Sequence, residues 1–287
     1  MRQSWILPIL FVSVAGLSAC QSPQKSEAER TKDVVNAIDD SDLNNLMLTS
    51  TDSAEAVRYF ERSVREKPDR VDLKRGLAMS LVRDKKVQSS IPYWQQVVAS
   101  DEVTNEDKLG LTDAYIRLGE WDKASATLET IPPTYETFRR YRLEAMVADS
   151  KKQWKKADSF YQVALGLTTQ PAMVLNNWGY SKLSRGDYKG AEQLFFEALS
   201  YDPTMFTAKN NIALARGAQK NYTLPVVQMT QEERAKLLYT LGLTAVKQGD
   251  VEIAKGLFKD AIDTSPVHFD EASRALAALE SKVVTSG

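Results

Sequence analysis

Cysteine and histidine are nearly absent from this chain. One Cys among 287 residues excludes an internal disulfide, and one His leaves no set for His-based metal binding or an acid–base triad. An excess of one charge is also missing. With 37 basic and 38 acidic residues the net charge is −1, which gives no electrostatic case for nucleic acid. No Gly-rich phosphate loop, no HExxH and no nucleophile elbow occurs, so nucleotide, zinc-protease and hydrolase chemistry lack their signatures. His268 lies at offset 34 of the last repeat, in an inter-repeat turn, which does not favour a catalytic role. No apolar run is long enough to span a membrane; the run 5–16 is short and broken by Pro8 and Ser13.

That short run does fit a secretory signal behind Arg2. It ends in Leu17-Ser18-Ala19-Cys20, which resembles a bacterial lipobox: small residues admit the peptidase, and the cysteine becomes the lipidated first residue. The expectation is a signal over 1–19 and a covalent lipid on Cys20, with no other cofactor. One acyl chain anchors only marginally, at about 0.8 kcal/mol per buried CH₂, and the several chains of a bacterial lipoprotein anchor firmly. By resemblance to Gram-negative lipoprotein sorting, Gln21 and Ser22 favour the outer membrane, with the chain facing the periplasm. Residues 20–33 are polar and aperiodic and read as a tether with a reach of roughly 20 Å. Asp39, Asp40 and Asp42 read as helix-start caps ahead of a cation site.

The body of the chain is periodic. In 172–205, Gly179, Gly186, Tyr188, Ala191, Phe195, Ala198 and Pro203 stand at offsets 8, 15, 17, 20, 24, 27 and 32. This is the spacing of a tetratricopeptide repeat, a helix–turn–helix unit of about 34 residues. The small residue at offset 20 recurs as Ala56, Ser90, Ala124, Ala157, Ala191 and Ala254, stepping by 34, 34, 33, 34 and 63. The bulky residue at offset 24 follows it as Phe60, Trp94, Leu128, Tyr161, Phe195 and Phe258. The predicted fold is all-α, a TPR-type solenoid of about six repeats. Repeats fill 34–220, with units near 37–70, 71–104, 105–137, 138–171 and 172–205 and a partial unit at 206–220. A further unit occupies 235–268, and 269–283 forms a capping helix.

Two places strain the pattern. Pro92 is expected in the first turn of a second helix, where proline is tolerated. The step of 63 leaves 221–234 as an irregular joint, with Pro225 where the small residue belongs. A capping box of Thr230 and Glu233 then restarts a helix. The joint reads as a hinge between sub-arrays, a partner-binding loop, or an insertion at a surface turn. The Trp residues beyond the signal (Trp94, Trp121, Trp154, Trp178) fall at packing offsets and read as core.

Without catalytic motifs, the functional candidate is a surface. In TPR proteins the first helices line the inner face through offsets 2, 5, 9 and 12. Here these offsets supply Arg75, Met79 and Asp113, and the partner-binding candidates Arg142, Met146, Asn176, Tyr180, Asn210 and Tyr239. Asn can grip a peptide backbone with its paired donor and acceptor, and Met and Tyr give adaptable apolar contact. The alternative is a solvated or self-packed helix face. No metal site, small-molecule substrate or nucleic acid is expected.

The lipobox LSAC (17–20), NNWGYSKLSRGDYKGAEQLFFEALSYDP (176–203), AKNNIALARG (208–217) and the non-consensus NYTLPVVQMTQEERAKLL (221–238) together resemble the TadD-type TPR lipoproteins of tight-adherence (Flp/Tad) pilus assembly systems. The resemblance covers most of the chain after the signal and is weak before about residue 70. It implies a non-enzymatic outer-membrane scaffold that helps the pilus secretin to localise or assemble, in the manner of a pilotin. Its partners would be the secretin and associated Tad components. Only Cys20 carries over as a defined functional position. A TPR lipoprotein serving as adaptor for a periplasmic peptidase or cell-wall enzyme is the alternative. A sugar-transferring enzyme would need a catalytic domain, and no stretch is free to be one.

The anchor is testable by fractionation. Cys20→Ala should block lipidation and signal processing, and a version with an ordinary cleavable signal should be soluble in the periplasm. Recovery of the unaltered protein in the soluble fraction without detergent would exclude the anchor.

Overall fold

A computed structural model of the chain describes residues 43–49 and 52–284. The signal, Cys20, the tether and Asp39, Asp40 and Asp42 lie outside the described residues. Residues 43–49 form a short helix of their own. From Asp52 onward the described residues hold helices and turns without strands. In order these are α1 (Ser53–Glu66), α2 (Val71–Arg83), α3 (Val87–Val98), α4 (Asn105–Arg117), α5 (Trp121–Glu129), α6 (Phe138–Ser150) and α7 (Trp154–Gly166). They continue as α8 (Ala172–Ser184), α9 (Tyr188–Tyr201), α10 (Phe206–Ala218), α11 (Gln231–Lys247), α12 (Val251–Thr264) and α13 (Asp270–Val284). Each packs chiefly on its sequence neighbours, with further contacts between alternate helices such as α4 with α6 and α6 with α8. That nearest-neighbour pattern is what a stacked repeat array requires. Among the described residues no helix is long and apolar enough to cross a membrane.

The ladder read from the sequence is the core. All six offset-20 residues, Ala56, Ser90, Ala124, Ala157, Ala191 and Ala254, are 0% exposed. The six bulky residues at offset 24 are buried beside them. Ser90 meets its burial cost by donating its hydroxyl to the Val87 carbonyl at 2.7 Å. The rings lie against glycine backbones: a Cβ on Gly179 would stand 2.6 Å from Phe195, and one on Gly242 2.5 Å from Phe258. In α2 and α4 the ring of the preceding helix takes the same seat two positions earlier, Phe60 on Gly76 and Trp94 on Gly110.

Six first helices, α2, α4, α6, α8, α10 and α11, end in one turn. A left-handed residue follows each, at φ 61° (Lys85), 74° (Gly119), 57° (Lys152), 87° (Gly186), 58° (Lys220) and 80° (Gly249). The next N–H closes on the carbonyl five residues back at 2.9–3.0 Å, from Lys86 to Leu81 through Asp250 to Ala245. This is the Schellman closure, which satisfies carbonyls the helix end leaves open. Three of the six positions are lysines, which the search for glycine at offset 15 does not find. Lys220 shows that the sixth first helix ends as the others do, before the pattern breaks.

Two expectations are corrected. Pro92 is the sixth residue of α3, well beyond its first turn, because the helix already begins at Val87. The ring occupies the exposed face, and the helix runs on to Val98 despite the missing N–H. The joint is shorter than 221–234, because the Thr230–Glu233 capping box forms and starts α11 at Gln231. Residues 221–229 hold no helix, yet they are fastened. Arg216 donates to the Leu224 carbonyl at 2.9 Å, and the Tyr222 hydroxyl donates to Asp250 at 2.5 Å. Tyr222, Leu224 and Met229 pack on the α11–α12 core, and Val227 on the α8–α10 core. Without an intervening second helix, α10 meets α11 directly, with Gly217 against Thr244. The capping helix is present as α13, with Ala272 buried and Leu276 and Leu279 packed on the same core.

Two stability tests follow. Ala191→Leu should overpack the α8–α9 pair and cost about 1–3 kcal/mol, while Ala126→Leu on the exposed face of α5 should cost little. Equal melting temperatures would contradict the packing. Lys152→Gly should stabilise the fold by roughly 0.5–1 kcal/mol, since its left-handed backbone strains any residue with a Cβ. A lowered urea midpoint for that variant would contradict the turn assignment.

Candidate partner-binding groove

Three successive first helices, α6, α8 and α10, line an open groove of about 470 Å³. Four of the six predicted residues stand in it: Met146 from α6, Asn176 and Tyr180 from α8, and Asn210 from α10. Tyr180 is 57% exposed, so its ring is free to take a partner.

Arg142 does not stand in the groove. Its side chain is about nine-tenths buried, with Nη2 3.8 Å from the Asp113 carboxylate of α4 and Nη1 3.9 Å from the Met146 sulfur. Burial pushes its guanidinium pKa down, against the pull of Asp113, and its Nε has no partner. The stacking of α4 on α6 turns this offset-5 residue toward the preceding repeat, so it braces Met146 from behind. Tyr239 is likewise no groove residue. Its ring is held between Phe258 and Phe269, with centroids at 5.6 and 5.3 Å, as α12 and the chain entering α13 pack on α11. Arg75, farther up the array, is engaged with the buried Asp107 of α4 at 2.6 and 2.9 Å.

The two groove asparagines are half engaged. Asn176 accepts from the Asn211 amide at 3.1 Å, and Asn210 accepts from the Thr240 hydroxyl at 2.8 Å. Both bonds reach from offset 5 of one first helix to offset 6 of the next. Asn177 donates to the Met146 sulfur at 3.4 Å. Each uses one half of its amide. The Nδ2 groups of Asn176 and Asn210 and the Oδ1 atoms of Asn177 and Asn211 have no partner among the described residues. Two donors and two acceptors thus remain for a ligand, the inventory an extended backbone satisfies.

The sequence reading missed several groove residues. Asp149 lies at offset 12 of its unit, one of the offsets expected to face inward, and it is the only charged side chain in the lining. It accepts from Ser181 at 2.7 Å and from the buried Tyr161 hydroxyl at 2.9 Å. Burial pushes its carboxyl pKa up, and the two hydroxyl donors only partly oppose this. Trp121 and Phe206 also line the groove. Trp121 lines the groove and also packs on the core of α2–α6, while Trp94 is buried in that core. Trp154 and Trp178 are half-buried; Trp178 stacks on Tyr161 at 6.1 Å and donates to Asp158 at 2.6 Å. Trp121 stands at offset 17, where α5 begins, and Trp94 at offset 24, inside α3, so their repeat positions differ.

Residues 47–107 match the tetratricopeptide repeat family model. Among solved structures, a tetratricopeptide repeat protein from Parabacteroides merdae is similar at 16% identity and TM-score 0.53, over 88% of this chain and 98% of that one. PilW, described as a widely conserved type IV pilus biogenesis factor, is similar at 17% identity and TM-score 0.51, over 72% and 98%. A chain of the APC/C hetero-tetramer Cut9-Hcn1 is similar at 15% identity and TM-score 0.58, over 82% of this chain; this chain spans 48% of its length. At such identities the likeness is one of fold. The paired helices, the six equivalent turns and these likenesses together make the chain an all-α tetratricopeptide-repeat array, the architecture of protein-interaction scaffolds.

Proposed function

We propose that this chain is a non-enzymatic, lipid-anchored scaffold that docks protein segments in the α6–α8–α10 groove and supports assembly or localisation of a Flp/Tad pilus secretin. The observation that carries the docking is the groove itself. An exposed tyrosine, a methionine and four half-engaged asparagines are set on three rigid helices, facing one space. Sites built on helices hold their geometry, which lowers the ordering cost of binding. Protein is favoured over nucleic acid because no Lys or Arg lines the groove and its one charge is a carboxylate.

The pilus assignment is supported by the resemblance of 176–203 and 221–238 to the Tad lipoproteins and by the fold shared with a type IV pilus biogenesis factor. The location is supported by the lipobox at 17–20, which would hold the chain on the periplasmic side of the outer membrane through Cys20. No cofactor beyond that lipid enters the proposal.

Asn176→Ala combined with Tyr180→Ala should leave the fold and the anchoring intact but weaken secretin capture by about 1–3 kcal/mol, the usual scale for hot-spot residues. The measurement is titration against the purified secretin, with circular dichroism as the folding control. Unchanged affinity in a folded double variant would move the site elsewhere, with the exposed Val226 on the 221–229 strap as the next surface to test. Capture of a peptidase or cell-wall enzyme in place of pilus components, from detergent-solubilised outer membrane, would replace the pilus assignment with the adaptor reading.

A further inference from the structure

Asp149 is a charged group with no charged partner. Its two hydrogen-bond donors, Ser181 and Tyr161, are both neutral hydroxyls. Among the described residues no Lys or Arg lies within ion-pair distance of it. Arg185, whose charge acts on it from a distance, is bound to Asp158 at 2.6 Å. Carboxylates of other first helices are engaged: Glu106 by Arg139, Asp107 by Arg75, Asp113 by Arg117, and Glu233 by Lys209. A partly buried carboxylate left this way costs stability, and binding a cation would offset the cost. The same groove is walled by Trp121, Tyr180 and Phe206, aromatic faces that also attract cations.

We infer that the groove selects an extended peptide segment carrying a lysine or arginine side chain, whose cationic head seats on Asp149 while its backbone pairs with the free amide halves of Asn176 and Asn210. The inference rests on the groove being the docking site and adds the chemistry of what docks. A peptide fits better than a small free cation because the unused donors and acceptors belong to α8 and α10, whereas the carboxylate belongs to α6. A ligand that uses all of them must extend across three repeats. Burial raises the Asp149 pKa, and the hydroxyl donors and the Arg185 charge only partly oppose it, as expected of a carboxyl without a direct ion pair.

The test uses the full chain in non-ionic detergent and fluorescein-labelled, end-blocked nonapeptides of Gly and Ala with one central residue varied. Fluorescence anisotropy should show the Lys and Arg peptides binding at least tenfold more tightly than the norleucine peptide, and the Glu peptide most weakly. Asp149→Asn should bring the Lys peptide to the norleucine level. Equal affinity for Lys and norleucine peptides, or an undiminished Lys peptide on a folded Asp149→Asn protein, would overturn the inference. If the norleucine peptide binds equally well and loses affinity in the Tyr180→Ala variant, groove docking stands and only the charge selection fails. If Asp149→Asn does not fold, the Lys–norleucine comparison on the unaltered protein decides. Competition by N-acetyl-lysine amide as effective as by the whole peptide would assign the site to a small cation and overturn the peptide assignment, as would the absence of binding by every peptide.

Discussion

The array depends on one contact, repeated: a large side chain at offset 24 pressed onto a position with little or no side chain. Phe195 on Gly179 and Phe258 on Gly242 bring the two helices of a unit together, and Phe60 on Gly76 and Trp94 on Gly110 join one unit to the next. Each buried ring removes on the order of 2–3 kcal/mol of apolar surface from water, and the close approach it needs excludes a Cβ on the facing helix. The ring therefore sits between its own first helix and the following one. Whichever of these supplies the glycine, the same wedge sets the stacking. The Schellman turn then closes each of six first helices with the same hydrogen bond, and it does so even where lysine must take the left-handed backbone.

Stacking has a second consequence, at the inner face. First helices lie side by side at a repeat distance that brings offset 5 of one within reach of the next. Arg75 meets Asp107, Asn176 meets Asn211, and Asn210 meets Thr240. These bonds tie repeats together and orient the groove residues, but the asparagine pairs use only part of their capacity. A rigid groove with unused donors and acceptors is thus a by-product of how the repeats are held. Charge is handled differently along it. Arg75 and Lys209 are absorbed into inter-helix pairs, and Asp149 is left with neutral donors, so in the groove a partner's cation has an opposite charge to meet.

The break at 221–229 shows what the array tolerates. The sixth unit completes its first helix and its turn at Lys220, then replaces the second helix with a strap. The strap still packs the half-buried Tyr222, Leu224 and Met229 on the core, so the apolar contacts of a helix are partly supplied by this non-helical chain. The backbone carbonyls of Thr223 and Leu224, which no helix satisfies, are taken by Arg216, itself paired to Glu192. This segment is therefore an ordered bridge between two cores and not a slack surface turn.

The sequence alone determined the all-α class, the repeat phase, the offset-20 and offset-24 core, the capping box at Thr230 and the capping helix. All of these are local signals: periodicity, a cap and a small–large alternation that recur at fixed spacing and act within one or two turns of helix. It also placed Met146, Asn176, Tyr180 and Asn210 on one face, because the helical period alone decides which side chains share a stripe. Only the tertiary structure decided the rest. Arg142 and Tyr239 share that stripe, but Arg142 is buried against the preceding repeat and Tyr239 is held between Phe258 and Phe269, and Asp149 gains its importance from the cation it lacks. Each of these outcomes depends on which residue of another helix, about 30 positions away, arrives at the same point in space, and a period of 3.6 along one helix carries no information about that.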